Sequence, residues 1–181
     1  MRIEFMASDK EKRPKDPVRV DIQKGIHAFQ CVGAEIVLQQ FDYAFIEGNL
    51  PDGRPAKVKI RFAKPNAVLM LKLLAIKDRY KNLRRPDKPK ENRERAQVHS
   101  ADSIKIVRHN IQNGNFNKLF WSQFGKEEGL KQQCVEIVME YFKDIDAPGI
   151  QLYREFMQSQ YGNIDEAEVS RALREMKLLL Q

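Results

Sequence analysis

The sequence predicts an α+β fold: a small β-sheet from the N-terminal third packed with a C-terminal helical bundle. Three observations point there. Before Pro65, short stretches alternate apolar and charged residues at the two-residue period of a half-buried strand. From Pro65 onward the apolar spacing becomes that of helices. The 181 residues are 42% hydrophobic, with 10 Phe and 5 Tyr, enough to bury a substantial core. The predicted division is a β-rich part over residues 1–64 and a helical domain over 65–181.

Each element follows from its residues. Arg2-Ile3-Glu4-Phe5 and Val18-Arg19-Val20-Asp21-Ile22 alternate and read as strands. Residues 9–17 between them carry charges, Pro14 and Pro17, and read as a solvated loop. Residues 26–32 form a third candidate strand, and Gly33 breaks the pattern before a short helix through Ala34, Ile36, Val37 and Leu38. Residues 49–54, Asn-Leu-Pro-Asp-Gly-Arg, signal a turn, and alternation resumes at Val58, Ile60 and Phe62. Pro65 suits a first helical turn, where its missing N–H removes nothing, and residues 67–80 continue without a breaker. A loop at residues 85–89 precedes a helix over about 90–111, which stops at Asn113-Gly114. Further helices are predicted over residues 116–124, 129–142, 148–160 and 165–180. The last has Asn163 or Asp165 as its cap and Val169, Leu173, Met176 and Leu180 at core spacing. Phe116, Phe120, Trp121 and Phe124 make an aromatic helix face that reads as core.

Composition narrows the function classes. Thirty-two Lys and Arg against 25 Asp and Glu leave a net charge of +7, and mean hydropathy is −0.58. No run of 18 apolar residues exists and the first residues lack an apolar signal core, so neither a membrane partner nor secretion is expected. Cys31 and Cys134 are solitary, which points to a reducing cytoplasm rather than a disulfide framework. The positive charge is concentrated. Between Lys72 and Arg95 there are ten basic residues and four acidic ones. Arg84, Arg85, Lys88 and Lys90 fall around a helix end and loop. They read either as cations at the negative end of a helix or as contacts to an RNA backbone. Tyr80 alone is interleaved, so the window has no base-stacking platform. His27, His99 and His109 form no metal-ligand pattern.

The most informative stretch is Ala67-Val68-Leu69-Met70-Leu71-Lys72-Leu73-Leu74-Ala75-Ile76. Lys72 is its only polar residue, so its ammonium either snorkels to water or meets an anion. On the next helix His99 and Asp102 stand at i,i+3 beside the apolar Ala101, Ile104 and Val107. Asp102 could therefore take Lys72 across a helix–helix contact.

Pro65-Asn66-Ala67, Leu71-Lys72-Leu73-Leu74-Ala75, Asp78-Arg79, the basic connector and the helix bearing Asp102 resemble the C-terminal half of a nucleotidyltransferase-superfamily domain. The similarity is to the AbiE-type toxin-like nucleotidyltransferases of toxin–antitoxin systems and covers about residues 1–112. It implies that Lys72 contacts nucleotide phosphates, that Asp102 positions that lysine and that Arg79 shares the nucleotide site. Such enzymes bind Mg²⁺ through a Gly-Ser turn, an Asp-x-Asp pair and a third carboxylate. This sequence has no Gly-Ser dipeptide, and its one Asp-x-Asp, Asp144-Ile145-Asp146, reads as a loop. For the third carboxylate there are two mid-strand candidates, Glu4, which the order of elements favours, and Asp21; each taken alone reads first as a solvent-facing strand charge. The resemblance makes both candidate catalytic residues and Glu4 the candidate metal ligand. Mg²⁺ is then expected only if the missing acidic pair is supplied. Glu4 lies so near the first residue that the chain is expected to begin inside a domain, as a truncated gene, a mis-assigned start codon or a split protein with a separate chain supplying the N-terminal half would each produce. The expected function is a nucleotidyltransferase-like protein, inactive alone, related to enzymes that move a nucleotidyl group from a nucleoside triphosphate to an RNA or protein hydroxyl. The alternative from another class is a non-catalytic basic helical module that binds RNA or a partner protein.

Overall fold

The computed structural model describes residues 5–8, 19–23, 26–31, 34–83, 86–114 and 128–180. Glu4, Arg84 and Arg85, the predicted loop over 9–17 and the predicted aromatic helix over 116–124 lie outside them. The architecture is α+β.

Strand β1 (Phe5–Ser8), strand β2 (Arg19–Gln23) and strand β3 (Ile26–Cys31) form one sheet in the order β1-β3-β2. β1 runs parallel to β3 and β2 antiparallel to it, with Asp21 opposite His27. Of the strand predicted over residues 2–5, only Phe5 lies among the described residues, and it is in β1. After helix α1 (Ala34–Gln39) come β4 (Phe41–Asn49) and β5 (Pro55–Ala63), an antiparallel hairpin in full register from Phe41 opposite Ala63 to Asn49 opposite Pro55. Its turn closes with Leu50 N–H on the Arg54 carbonyl at 2.8 Å, and Gly53 takes the left-handed φ of +82° that the reversal requires. Asp52 accepts from both the backbone and the side chain of Arg54. Sequence reading anticipated β5 and the turn but no strand at β4. Phe41, Tyr43 and Phe45 alternate there, yet Ala44 and Ile46 make the other face apolar too, which blurs the two-residue period.

The helical part holds α2 (Pro65–Tyr80), α3 (Pro89–Gln112), α4 (Glu128–Tyr141), α5 (Pro148–Tyr161) and α6 (Glu166–Lys177), closed by a 3₁₀ turn (Leu178–Leu180). α2, α3 and α5 each open on proline in the first turn. Of the two candidate caps for α6, Asp165 does the work: its carboxylate accepts from Ala167 N–H at 2.9 Å. Asp144 and Asp146 lie exposed in the turn between α4 and α5, where Asp144 accepts from Asp146 N–H at 3.0 Å.

The core runs through the helices. Leu69, Leu73 and Ile76 of α2 meet Ala96, Ala101, Ile104 and Val107 of α3, all fully buried. Helix α3 also packs on α5 and α6. Val169 and Met176 of α6 are buried as predicted, but Leu180 is 41% exposed and Leu179 turns inward instead. The 3₁₀ turn is tighter than an α-helix, so it moves the inward position by one residue.

The α3–α5 crossing is close because its contact residues are small. Ser100 is fully buried and its hydroxyl donates to the Gly149 carbonyl at 2.7 Å. A Cβ on Gly149 would lie 2.6 Å from the Tyr141 carbonyl oxygen and 2.7 Å from the Phe142 ring. Gly149→Ala is therefore expected to reduce unfolding stability by about 1–3 kcal/mol, the usual penalty for overpacking. Urea unfolding reads it, and a midpoint equal to the parent's would refute the close approach of the start of α5 to Tyr141 and Phe142 at the end of α4.

Candidate functional site

Lys72 sits on α2 one residue from the buried Leu73 and near the buried Leu69 and Ile76. Its ammonium donates to Asp102 Oδ2 at 2.7 Å. The two side chains retain 27% and 33% of their exposure, so the pair lies at the mouth of the α2–α3 seam, in contact with water. This is the helix-to-helix pairing anticipated from spacing. A pair so placed contributes on the order of 1 kcal/mol, more than a free surface pair because part of each stem is desolvated.

A second rung lies farther along the seam. Arg79 Nη1 donates to Asn92 Oδ1 at 2.8 Å, and the Asn92 amide donates to Asn82 Oδ1 at 3.0 Å. Asn92 is 1% exposed, and Asn82 adopts a φ of +52° just past the end of α2. Lys72 with Asp102 and Arg79 with Asn92 run in opposite chain directions, so the helices are antiparallel. Arg79, expected at the nucleotide site, thus spends one donor on holding α3. Nothing in the sequence marked Asn92 or Asn82 as its companions.

His99 stands one turn before Asp102. Burial, and next the Lys72 ammonium, press its imidazole down to about 4, against the opposing pull of Asp102; Arg79 and Arg95 add to the depression. Its Nδ1 is buried without a hydrogen-bond partner. His99 is therefore neutral near pH 7, and the local positive charge comes from Lys72 and its arginine neighbours.

The basic window is partly neutralised by its own fold. Besides Lys72, Lys81 pairs with Glu140 at 3.1 Å, Lys88 with Glu91 at 3.7 Å, Arg95 with Glu91 at 3.0 Å, and Arg93 with Glu155. Lys90 is exposed and has no acidic partner among the described residues. Asp21 lies on β2, in the other sheet from the β4–β5 hairpin. Among the described residues no three of His, Cys, Asp and Glu converge. Among them also no helix is long and apolar enough to cross a membrane.

Two arrangements escaped sequence reading. One joins α3, α5 and α6. Arg108 contacts Glu168 and Glu175 at 2.8 Å each, the Tyr153 hydroxyl donates to Glu168 at 2.8 Å, and Arg171 Nε donates to Glu175 at 2.9 Å. Its members are scattered over 68 residues of chain (Arg108 to Glu175), and only Glu168, Arg171 and Glu175 share a helix at spacing that could have been read beforehand. The other is one face of the β4–β5 hairpin. Phe41, Tyr43 and Phe45 line β4; on β5 Arg61 stands opposite Tyr43, Lys59 opposite Phe45 and Lys57 opposite Glu47, so the cations meet the rings diagonally. Lys59 lies 3.8 Å from the Tyr43 ring centroid, Lys57 4.8 Å from Phe45, and Arg61 4.7 Å from Phe41. Tyr43 and Phe45 remain 49% and 58% exposed. Cation–π contacts at exposed sites contribute about 0.5–1 kcal/mol each. The alternation of cations at 57, 59 and 61 was the available signal.

The His99 shift sets a pH dependence. A base whose folded pKa falls from 6.5 to about 4 is neutral in the native state while the unfolded chain takes up a proton. Its contribution is complete above the unfolded value of 6.5 and is lost as pH falls towards about 4. The loss amounts to about 3 kcal/mol over that window. His99→Gln is expected to flatten this part of the stability profile, measured by urea unfolding between neutral and acidic pH. Parallel profiles for parent and variant would contradict it.

Neither a protein-family model, nor a curated protein, nor a solved structure matches the chain.

Proposed function

We propose that the chain is a nucleotidyltransferase-like protein that binds a nucleoside triphosphate through Lys72 and is inactive alone. The observation that carries this reading is the Lys72–Asp102 pair at 2.7 Å, partly open to water at the edge of an apolar seam. An ammonium has three donors. Asp102 engages one and fixes the direction of the others, so a phosphate oxygen can be met without first immobilising a long side chain. Arg79 and Arg95 add positive potential near His99, and the neutral imidazole neither adds to it nor competes for the anion.

The transfer itself needs carboxylates that the seam does not hold. Glu4 or Asp21 is the carboxylate of this chain that the resemblance places with the metal, and Mg²⁺ would act only where the acidic pair is supplied as well. The acceptor is an RNA or protein hydroxyl, with Lys88, Lys90, Arg84 and Arg85 contributing to RNA attraction. A toxin–antitoxin role and a cytoplasmic setting follow from the same resemblance and from the solitary cysteines.

Calorimetric titration with ATP tests the reading. Lys72→Ala is expected to weaken binding by about 10- to 100-fold, the range for a hydrogen bond to a charged group, with the helical circular dichroism retained. Unchanged ATP affinity, or no ATP binding by the parent, favours the non-catalytic basic module instead. Mg²⁺-dependent nucleotidyl transfer by the pure chain would overturn the claim that it is inactive alone.

A further inference from the structure

We infer that the cation-bearing face of the β4–β5 hairpin is a docking platform for single-stranded RNA. The inference rests on the hairpin alone and is independent of the Lys72 site.

Phe41, Tyr43 and Phe45 occupy alternate positions of one strand, so they project from the same face about 7 Å apart, a spacing that an extended nucleotide backbone can follow. On the facing strand Arg61 stands opposite Tyr43, Lys59 opposite Phe45 and Lys57 opposite Glu47, and each reaches diagonally to a ring, Arg61 to Phe41, Lys59 to Tyr43 and Lys57 to Phe45. Rings in a row beside cations in a row are what a single strand requires: each base presents a π-face to a ring, and each phosphate meets a cation. The present contacts of Lys57 and Lys59 with Phe45 and Tyr43 are weaker than base stacking on the same rings. A base entering over Tyr43 therefore displaces Lys59, whose ammonium turns to the adjoining phosphate. Such an exchange leaves no charge unpaired.

Charge also argues against other occupants. Glu47, the acid on this face, pairs with Lys57 at 2.6 Å towards the turn, which leaves Lys59 and Arg61 to set the sign beside Tyr43 and Phe41. A second copy of the chain laid on the same face would bring two sets of three cations together with only the Glu47 of each copy as the acid on that face to answer them. An apolar protein surface would have to desolvate both cations without pairing them. A duplex keeps its bases stacked inside and offers nothing to the rings. RNA is favoured over DNA because the Tyr43 hydroxyl and the Glu47 carboxylate lie along the same row as donor and acceptor for a ribose 2′-hydroxyl.

Fluorescence anisotropy with a labelled oligouridine of about twelve nucleotides tests the platform on the full chain. The parent is expected to bind it more tightly than the matching DNA strand or an RNA duplex. Tyr43→Ala with Phe45→Ala should weaken binding at least tenfold, while Tyr43→Phe, which keeps the ring and loses the hydroxyl, should weaken it less and narrow the preference for RNA over DNA. Lys59→Gln with Arg61→Gln should lower the slope of log affinity against log salt by about 1.4, two released counterions at the single-strand value. Thermal melting confirms that the variants fold. The inference is overturned if the double alanine variant binds as tightly as the parent, or if no oligouridine binds. It is equally overturned if only Lys88→Gln with Lys90→Gln abolishes binding, if duplex or DNA binds as well as single-stranded RNA, or if the face proves to be covered in a dimer dispersed by the alanine substitutions.

Discussion

A lysine in the middle of an apolar helix restricts how that helix can be used. Leu69, Leu73 and Ile76 pull α2 into the core, and Lys72 resists being taken with them. The conflict is resolved if a partner helix brings a carboxylate to the water line while its own apolar stripe fills the interior. Helix α3 does both, with Ala101 and Ile104 fully buried on either side of Asp102. The pairing thereby fixes the rotation of α3 about its axis. Once α3 is so oriented, Ser100 and Ser103 face inward, Arg108 points to α6, and the remaining helices have a surface to pack on.

Polar groups divide the labour along α3. Near its start Asn92 takes Arg79 and Asn82; in its middle Ser100 meets the Gly149 carbonyl; towards its end Arg108 is shared between Glu168 and Glu175. Each contact fixes one neighbour: the end of α2, the beginning of α5, and α6. Apolar burial supplies most of the free energy but tolerates sliding, whereas these directional contacts do not. The β4–β5 hairpin stands apart from this scheme. Its exposed rings are held by cations of its own second strand, so the arrangement on that face is local to the hairpin.

Much of this could be read in the residues. The change of period at Pro65, the proline-led helices, the Asp165 cap and the Lys72–Asp102 pairing all follow from local pattern, because each depends on near neighbours or on a residue with few ways to be satisfied. What escaped depends on pairs brought together by tertiary structure. Arg108 and Glu175 look like ordinary surface charges until α6 folds back on α3. The strand at β4 escaped because Ala44 and Ile46 mask its alternation, and the meeting of Tyr43 with Lys59 depends on the register set by the turn. The charge-rich window, conspicuous in the sequence, became less so once Lys81, Arg93 and Arg95 had found acids.

The left-handed Asn82 bears on the order in which the chain folds. It reverses the chain soon after α2, and only residues 81–88 separate that helix from α3. So short a connection loses little closure entropy, as does the five-residue turn of the β-hairpin. The crossing at Gly149, by contrast, joins Ser100 to a point 49 residues away. Topology therefore separates an early pair of local units from a later docking of α5 and α6. Hydrogen exchange would register this as amides of α2 and α3 that stay protected after those of α6 have opened.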